Sequence, residues 1–161
     1  MIQIPLPGGM SALVDDADAP AVRRHKWCVR RSRTGETYYV QRNVRLDNGR
    51  RTTQQLHQFI MGATGVDHIN GDGLDNRRSN LRVANQSQNA ANTGPRAGRY
   101  KGVTQRQNGR WRAQIRINWH QMQIGTYDTA EDAARAYDRR AFEAWGEFAY
   151  LNFPNEVKRA A

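Results

Sequence analysis

The sequence predicts an α+β chain of three small units: an N-terminal small mixed strand/helix module over residues 1–62, a strand–loop–strand–helix unit over 63–95, and a three-stranded antiparallel sheet packed on one helix over 96–161. Three observations predict it. Short runs of alternating apolar and polar residues, bounded by turn signals, carry the period of half-buried strands. An alanine-rich stretch from Ala130 to Ala144 carries helical spacing. Charge also changes in blocks: ten basic and five acidic residues in 1–62, three of each in 63–95, then seven basic and no acidic residue from Arg96 to Trp119.

With 161 residues the chain has room for one ordinary domain or two small ones, two small modules joined by a linker fitting best, and its net charge of +10 favours a polyanionic partner. Its lysines are Lys26, Lys101 and Lys158, so arginine supplies most of the positive charge. The planar guanidinium suits bidentate contacts with phosphate and guanine. No apolar stretch reaches the length of a membrane span, and Met1-Ile2-Gln3-Ile4-Pro5 lacks the basic start of a signal peptide. These features exclude a membrane partner and predict a cytoplasmic protein. A lone Cys28 excludes an intrachain disulfide, and its spacing from His25 provides half a zinc site at most.

In the first module, Tyr38, Val40, Val44 and Leu46 alternate with polar neighbours, and Asp47-Asn48-Gly49 tolerates positive φ, which predicts a hairpin. Leu56, Phe59 and Ile60 share one face of a short helix ended by Gly62. His57 on that helix is read as supporting or structural.

In the second unit, Val66–Ile69 and Leu81–Val83 form a two-stranded hairpin around a turn-rich loop, Asn70–Ser79. Asn85 and Gln88 stand in capping-box register for a helix that Gly94-Pro95 ends, and Arg96-Ala97-Gly98 reads as a linker. So small a unit has little core, so polar residues aimed into it serve chemistry. Asp67, His68 and Asn89 are those residues. Each carboxylate in a chain that binds a polyanion repels phosphate unless a cation sits between them. Phosphodiester hydrolysis needs a base to deprotonate water and a cation to neutralise the phosphate and the leaving oxygen. Neighbouring strand residues point to opposite faces, so Asp67 and His68 serve one phosphate only if the strand twists or ends there.

Asp67-His68, Asn80-Leu81-Arg82 and Ser87-Gln88-Asn89-Ala90 resemble, in spacing and type over about thirty residues, the His-Asn-Asn variant of the HNH endonucleases of phage and homing type. The resemblance implies a ββα-metal unit in which His68 is the general base. Asp67 and Asn89 would hold the metal, and Asn80 would hydrogen-bond across the loop to hold the histidine strand. Asp72, Asp75 and Asn76 match the usual turn composition and are read as structural. Oxygen ligands favour one divalent ion, Mg²⁺ or Mn²⁺.

In the third unit, Arg110 to Ile117 alternates strictly, burying Trp111, Ala113, Ile115 and Ile117 and presenting Arg110, Arg112, Gln114 and Arg116. Arg106 before it, and Gln121 and Gln123 after it, extend that face, with Met122 and Ile124 turned inward. Arginine pairs with guanine and glutamine with adenine, so the face suits a major groove. Thr129 and Asp132 open a helix whose Ala130, Ala133, Ala134, Tyr137, Ala141 and Ala144 form a close-packing stripe, and Gly146 ends it. Phe148, Leu151 and Phe153 complete the core.

Tyr100-Lys101-Gly102-Val103, Gly125-Thr126-Tyr127-Asp128-Thr129-Ala130-Glu131, Ala136-Tyr137-Asp138 and Leu151-Asn152-Phe153-Pro154 resemble the ethylene-response-factor (Apetala) type DNA-binding domain. The resemblance implies a sheet lying in the major groove, with Lys101, Arg106, Arg110 and Arg116 at contacting positions. Thr104, Asn108, Gln114, Gln121 and Gln123 depart from the plant pattern, so the plant target does not carry over.

Together these readings predict a metal-dependent DNA endonuclease, acting on double-stranded DNA as a monomer in a bacterial or phage-infected cell. One active site nicks one strand and leaves a 5′ phosphate and a 3′ hydroxyl. The alternative is a DNA-binding transcriptional regulator in which the hairpin is structural.

Overall fold

The computed structural model describes residues 1–32, 37–95 and 98–157, and its contacts divide the chain into two compact units, Met1–Asn85 and Gln86–Ala161. The fold is α+β, as the sequence predicts. Arg96 and Ala97 of the expected linker lie outside the described residues.

In the first unit, β1 (Ile2–Pro5) and β2 (Ser11–Val14) form an antiparallel hairpin, followed by α1 (Ala19–Arg23). Strands β3 (Cys28–Arg31), β4 (Tyr38–Arg45) and β5 (Arg51–Gln55) make an antiparallel sheet in sequence order. The β4–β5 turn closes through Leu46 N–H to Arg50 O at 2.8 Å, with Gly49 at φ 77°, as its turn residues require. Helix α2 (Leu56–Met61) ends in left-handed Gly62, and β6 (Val66–His68) pairs with β7 (Leu81–Val83).

One core unites the residues that the sequence suggests are two modules. Ile4, Val14, Val22, Trp27, Val40, Leu56 and Ile60 pack in the same buried cluster as Val66 and Leu81. Strands of three residues bury too little to stand alone, so the hairpin borrows the core of its neighbour.

The second unit starts with α3 (Gln86–Asn92), the helix predicted to close the middle unit. Its C-terminal carbonyls are taken up locally: Ala91 O accepts from Tyr150 N–H at 3.0 Å, and the Lys101 ammonium donates to Ala90 O and Ala91 O. Strands β8 (Val103–Gln105), β9 (Trp111–Ile117) and β10 (His120–Tyr127) form an antiparallel sheet in the order β10-β9-β8.

Helix α4 (Ala130–Trp145) is capped by the Thr129 hydroxyl, which accepts from Asp132 N–H at 3.1 Å, and α5 (Pro154–Val157) follows. Ala133, Ala134, Tyr137 and Ala141 are buried as expected. Ala136 and Asp138 are buried too, while Ala130 and Ala144 are only half-buried. Gly102 lets α4 approach the sheet: a Cβ there would lie 2.0 Å from the Tyr137 ring.

Candidate active site and nucleic-acid interface

β6 is buried at all three positions, so it is covered on both faces and its successive side chains both meet protein. His68 is 4% exposed, and its Nε2 lies 3.3 Å from Asn76 Oδ1. The tautomer follows from the neighbours. Asn76 donates its own Nδ2 to Gly73 O at 3.1 Å, which turns Oδ1 towards the ring. An oxygen only accepts, so Nε2 carries the proton and Nδ1 the basic lone pair. Burial lowers the His68 pKa below its ordinary value, opposed by the Asn76 bond and by the carboxylates of Asp67, Asp72 and Asp75. The imidazole is therefore neutral at pH 7.

Asp67 sits opposite Arg82 in the β6–β7 register and is ion-paired with it at 3.0 Å. Both guanidinium bonds fall on Oδ2; among the described residues nothing bonds Oδ1. The Asp67 charge reaches Tyr39, whose hydroxyl pKa is raised by burial and then by that carboxylate. The Tyr39 ring also lies 6.0 Å from the His68 ring.

Asn80 does not touch the imidazole. It accepts from Asn70 N–H at 3.0 Å and donates to Asn70 Oδ1 at 2.9 Å and to Asp75 O at 2.8 Å, pinning the loop across its base. Asp75, 3% exposed, accepts from Arg77 at 2.6 and 2.7 Å, and this pairing lowers its pKa. The N-terminal segment frames the same loop: Leu13 exchanges backbone bonds with Leu74 and Asn76 at 2.9 and 2.8 Å, and Arg78 pairs with Asp18 at 2.8 Å.

One neighbour of His68 escapes the sequence reading, and a second, His57, is the one read as supporting or structural. Asn76, read as a turn residue, is the group that orients the imidazole. His57, 7% exposed, sets its ring 4.7 Å from that of His68 at 80°, with no partner for its buried Nδ1. Burial lowers its pKa to about 3, so it stays neutral beside His68. The sequence places Leu56, Phe59 and Ile60 on the core side of α2, whereas Leu56, His57 and Ile60 are the buried positions. Asn89 stands on α3, exposed, in the second unit.

In that unit the predicted separation of apolar from polar is partial: Trp111 and Ile117 are only half-buried, as are Arg112 and Gln114. Ala113 and Ile115 are buried, and Arg110, Arg116, Gln121 and Gln123 are exposed. Pairing of Arg116 with Gln121, Gln114 with Gln123, and Arg112 with both Thr104 and Thr126 puts these side chains on one face. A register shift between Gln123 and Gly125 lets Ile124 enter the core, whereas Met122 remains 37% exposed on the edge strand β10.

The arginines are not equivalent. Arg110 is paired with Asp128 at 3.0 Å, and the half-buried Arg112 has a buried Nε without a partner. Arg106 closes the β8–β9 turn by backbone bonds and keeps its side chain exposed. Lys101, expected at a DNA contact, turns its ammonium to the α3 carbonyls, and desolvation lowers its pKa to about 8. The fully buried Asp138 accepts from Asn152 N–H, Asn152 Nδ2 and Phe153 N–H at 2.7 to 2.9 Å, latching the chain after α4.

The HNH endonuclease family model matches residues 64–91, and the AP2 domain model matches 98–147. An uncharacterized HNH endonuclease of Acanthamoeba polyphaga mimivirus is 32% identical over 153 residues, covering 89% of this chain and 75% of the relative. The chain belongs to the HNH endonuclease family. It combines that unit with an AP2 domain. An AP2/ERF and B3 domain-containing protein of Oryza sativa is 43% identical over 75 residues, 47% of this chain. Ethylene-responsive transcription factor 1 of Solanum lycopersicum is 42% identical over 66 residues, 39% of this chain. The HNH chain spans 20% of the rice protein and 27% of the tomato protein. Among the described residues no helix is long and apolar enough to cross a membrane.

Proposed function

We propose that this HNH protein is a metal-dependent endonuclease that docks its AP2 sheet on double-stranded DNA and hydrolyses a phosphodiester with His68 as general base. The observation that carries this reading is the buried His68 imidazole, with Nε2 held 3.3 Å from Asn76 Oδ1 while Asn76 donates in turn to Gly73 O. In the reaction the oxygen of a water forms a bond to phosphorus while the bond to the 3′ oxygen breaks. The water's proton passes to His68 Nδ1, and the departing 3′ oxygen takes a proton from solvent. The ends are then a 5′ phosphate and a 3′ hydroxyl.

The donor chemistry fits a hard cation. Asp67 Oδ1 is a carboxylate oxygen left over from the Arg82 pair, and carboxylate oxygen suits a hard cation; among the described residues no group of three His, Cys, Asp or Glu that could hold a metal ion is found. One carboxylate leaves positions for water and phosphate oxygens, which suits Mg²⁺ or Mn²⁺. Such an ion, when bound, would neutralise charge on the phosphate and the leaving oxygen. Asp67 would hold it, with Arg82 fixing the carboxylate.

On the sheet, Arg112, Gln114, Arg116, Gln121 and Gln123 read base edges, while Arg106 and Arg110 at its end contact phosphate. With one base per chain, a monomer nicks one strand. The test is incubation of supercoiled plasmid with Mg²⁺ or Mn²⁺ at low salt. Wild type should produce relaxed circles and His68→Ala should not; equal inertness of both across many sequences would leave a DNA-binding regulator as the surviving reading.

A further inference from the structure

Asn118 and Trp119 form the two-residue turn between β9 and β10, and both have positive φ, 47° and 69°. Hairpin turns of this kind favour asparagine followed by glycine, because a large side chain at the second position is strained. Here that position holds a tryptophan 65% exposed to solvent. A large apolar ring is thus kept in water where glycine would fold better, and strain held in this way accompanies binding sites.

The ring borders a groove of about 420 Å³ within the second unit, whose other walls include Tyr137, Trp145, Gln114, Gln121 and Arg116. That volume falls in the range of roughly 300–1,000 Å³ typical of small-molecule sites. The polar wall is oriented. Gln121 Nε2 donates to Gln114 Oε1 at 2.9 Å, which fixes both amides and leaves Gln114 Nε2 as a donor beside Gln121 Oε1 as an acceptor. Adjacent donor and acceptor match the edge of a nucleobase. Charge favours the same ligand: Val103 to Tyr127 holds four arginines and no Asp or Glu.

We propose that this groove binds one unpaired nucleobase of the DNA on which the sheet docks, with Trp119 stacking on the base and the Gln114–Gln121 pair and Arg116 reading its edge. This rests on the DNA-docking role of the sheet. An aromatic ring stacks on any base, and the amide pair then selects among them. The site would let the protein prefer duplexes that carry an extrahelical base or a strand end.

The test measures binding of the full chain, at one fixed salt concentration, to two labelled duplexes that differ by a single bulged nucleotide. Wild type should bind the bulged duplex about ten-fold more tightly, within the usual range of base stacking on an aromatic ring. Trp119→Phe should keep most of that preference. Trp119→Ala and Trp119→Gly should lose it with affinity for the paired duplex unchanged, and glycine suits the turn, so that variant folds at least as well. Absence of a preference in wild type, its survival in Trp119→Gly, or an equal loss on both duplexes overturns the proposal. Failure of wild type to bind either duplex would instead defeat the docking role of the sheet, and this site with it.

Discussion

Replacing Asn76 by alanine and by aspartate separates the orientation of the base from its acidity. Asn76 is fully buried and joins Gly73 O at 3.1 Å to His68 Nε2 at 3.3 Å. Asn76→Ala leaves both groups without that partner, costing about 1–3 kcal/mol of stability. It also releases the ring, and losing a group that orients another typically costs about 10- to 100-fold in activity. Removing the base itself should cost more, about 10²- to 10⁴-fold.

The pH profile is the sharper readout. In the proposed mechanism His68 acts only when neutral, so activity should fall as pH drops through its pKa. The Asn76 bond raises that pKa against the lowering by burial. Asn76→Ala should therefore shift the acid limb to lower pH even as the maximal rate falls. Asn76→Asp places a carboxylate beside the ring, favours the imidazolium, and should shift the limb to higher pH. Initial nicking rates on supercoiled plasmid, between about pH 5 and 9, measure both limbs. A limb that stays in place, or moves the same way in both variants, refutes the role given to Asn76.

Asp67→Ala should abolish Mn²⁺ binding measured by calorimetry while affinity for DNA persists; retained Mn²⁺ binding would show that Asp67 is not a ligand. His57 has a folded pKa near 3 against 6.5 when unfolded, so the unfolded chain binds the extra proton between those values. Stability should accordingly fall as pH drops below about 6.5, by at most about 1.4 kcal/mol per pH unit, and denaturant melts of His57→Phe should show a shallower loss. Arg112→Ala or Arg116→Ala should weaken DNA binding by about 1–3 kcal/mol if each reads a base, whereas a phosphate contact lowers the salt slope by about one unit; titrations at several salt concentrations separate the two. Lys101→Ala should lower the melting temperature through loss of the α3 cap and leave that slope unchanged, because its ammonium already faces the Ala90 and Ala91 carbonyls.

The sequence by itself determined whatever depends on short-range pattern. Strict alternation from Arg110 to Ile117 assigned each side chain to a face, Thr129 with Asp132 marked the start of α4, and Asn48-Gly49 marked a turn. The spacing of Asp67-His68, Asn80 and Asn89 revealed the HNH motif because strands, turn and helix each impose a fixed local period. Tertiary structure alone decided which distant groups meet. Asn76 and Asp138 look like ordinary turn and helix residues until the fold brings His68 to one and Asn152 to the other. Helix α3 reads as the end of one motif, yet its carbonyls find donors on Lys101 and Tyr150 further along the chain. Residues 1–62 could be an independent module by composition, and only the shared burial of Val40, Leu56, Val66 and Leu81 makes them the frame of the β6–β7 hairpin. Periodicity says which face of an element is buried, but the partner of that face is set by packing over long sequence separations, which no local pattern encodes.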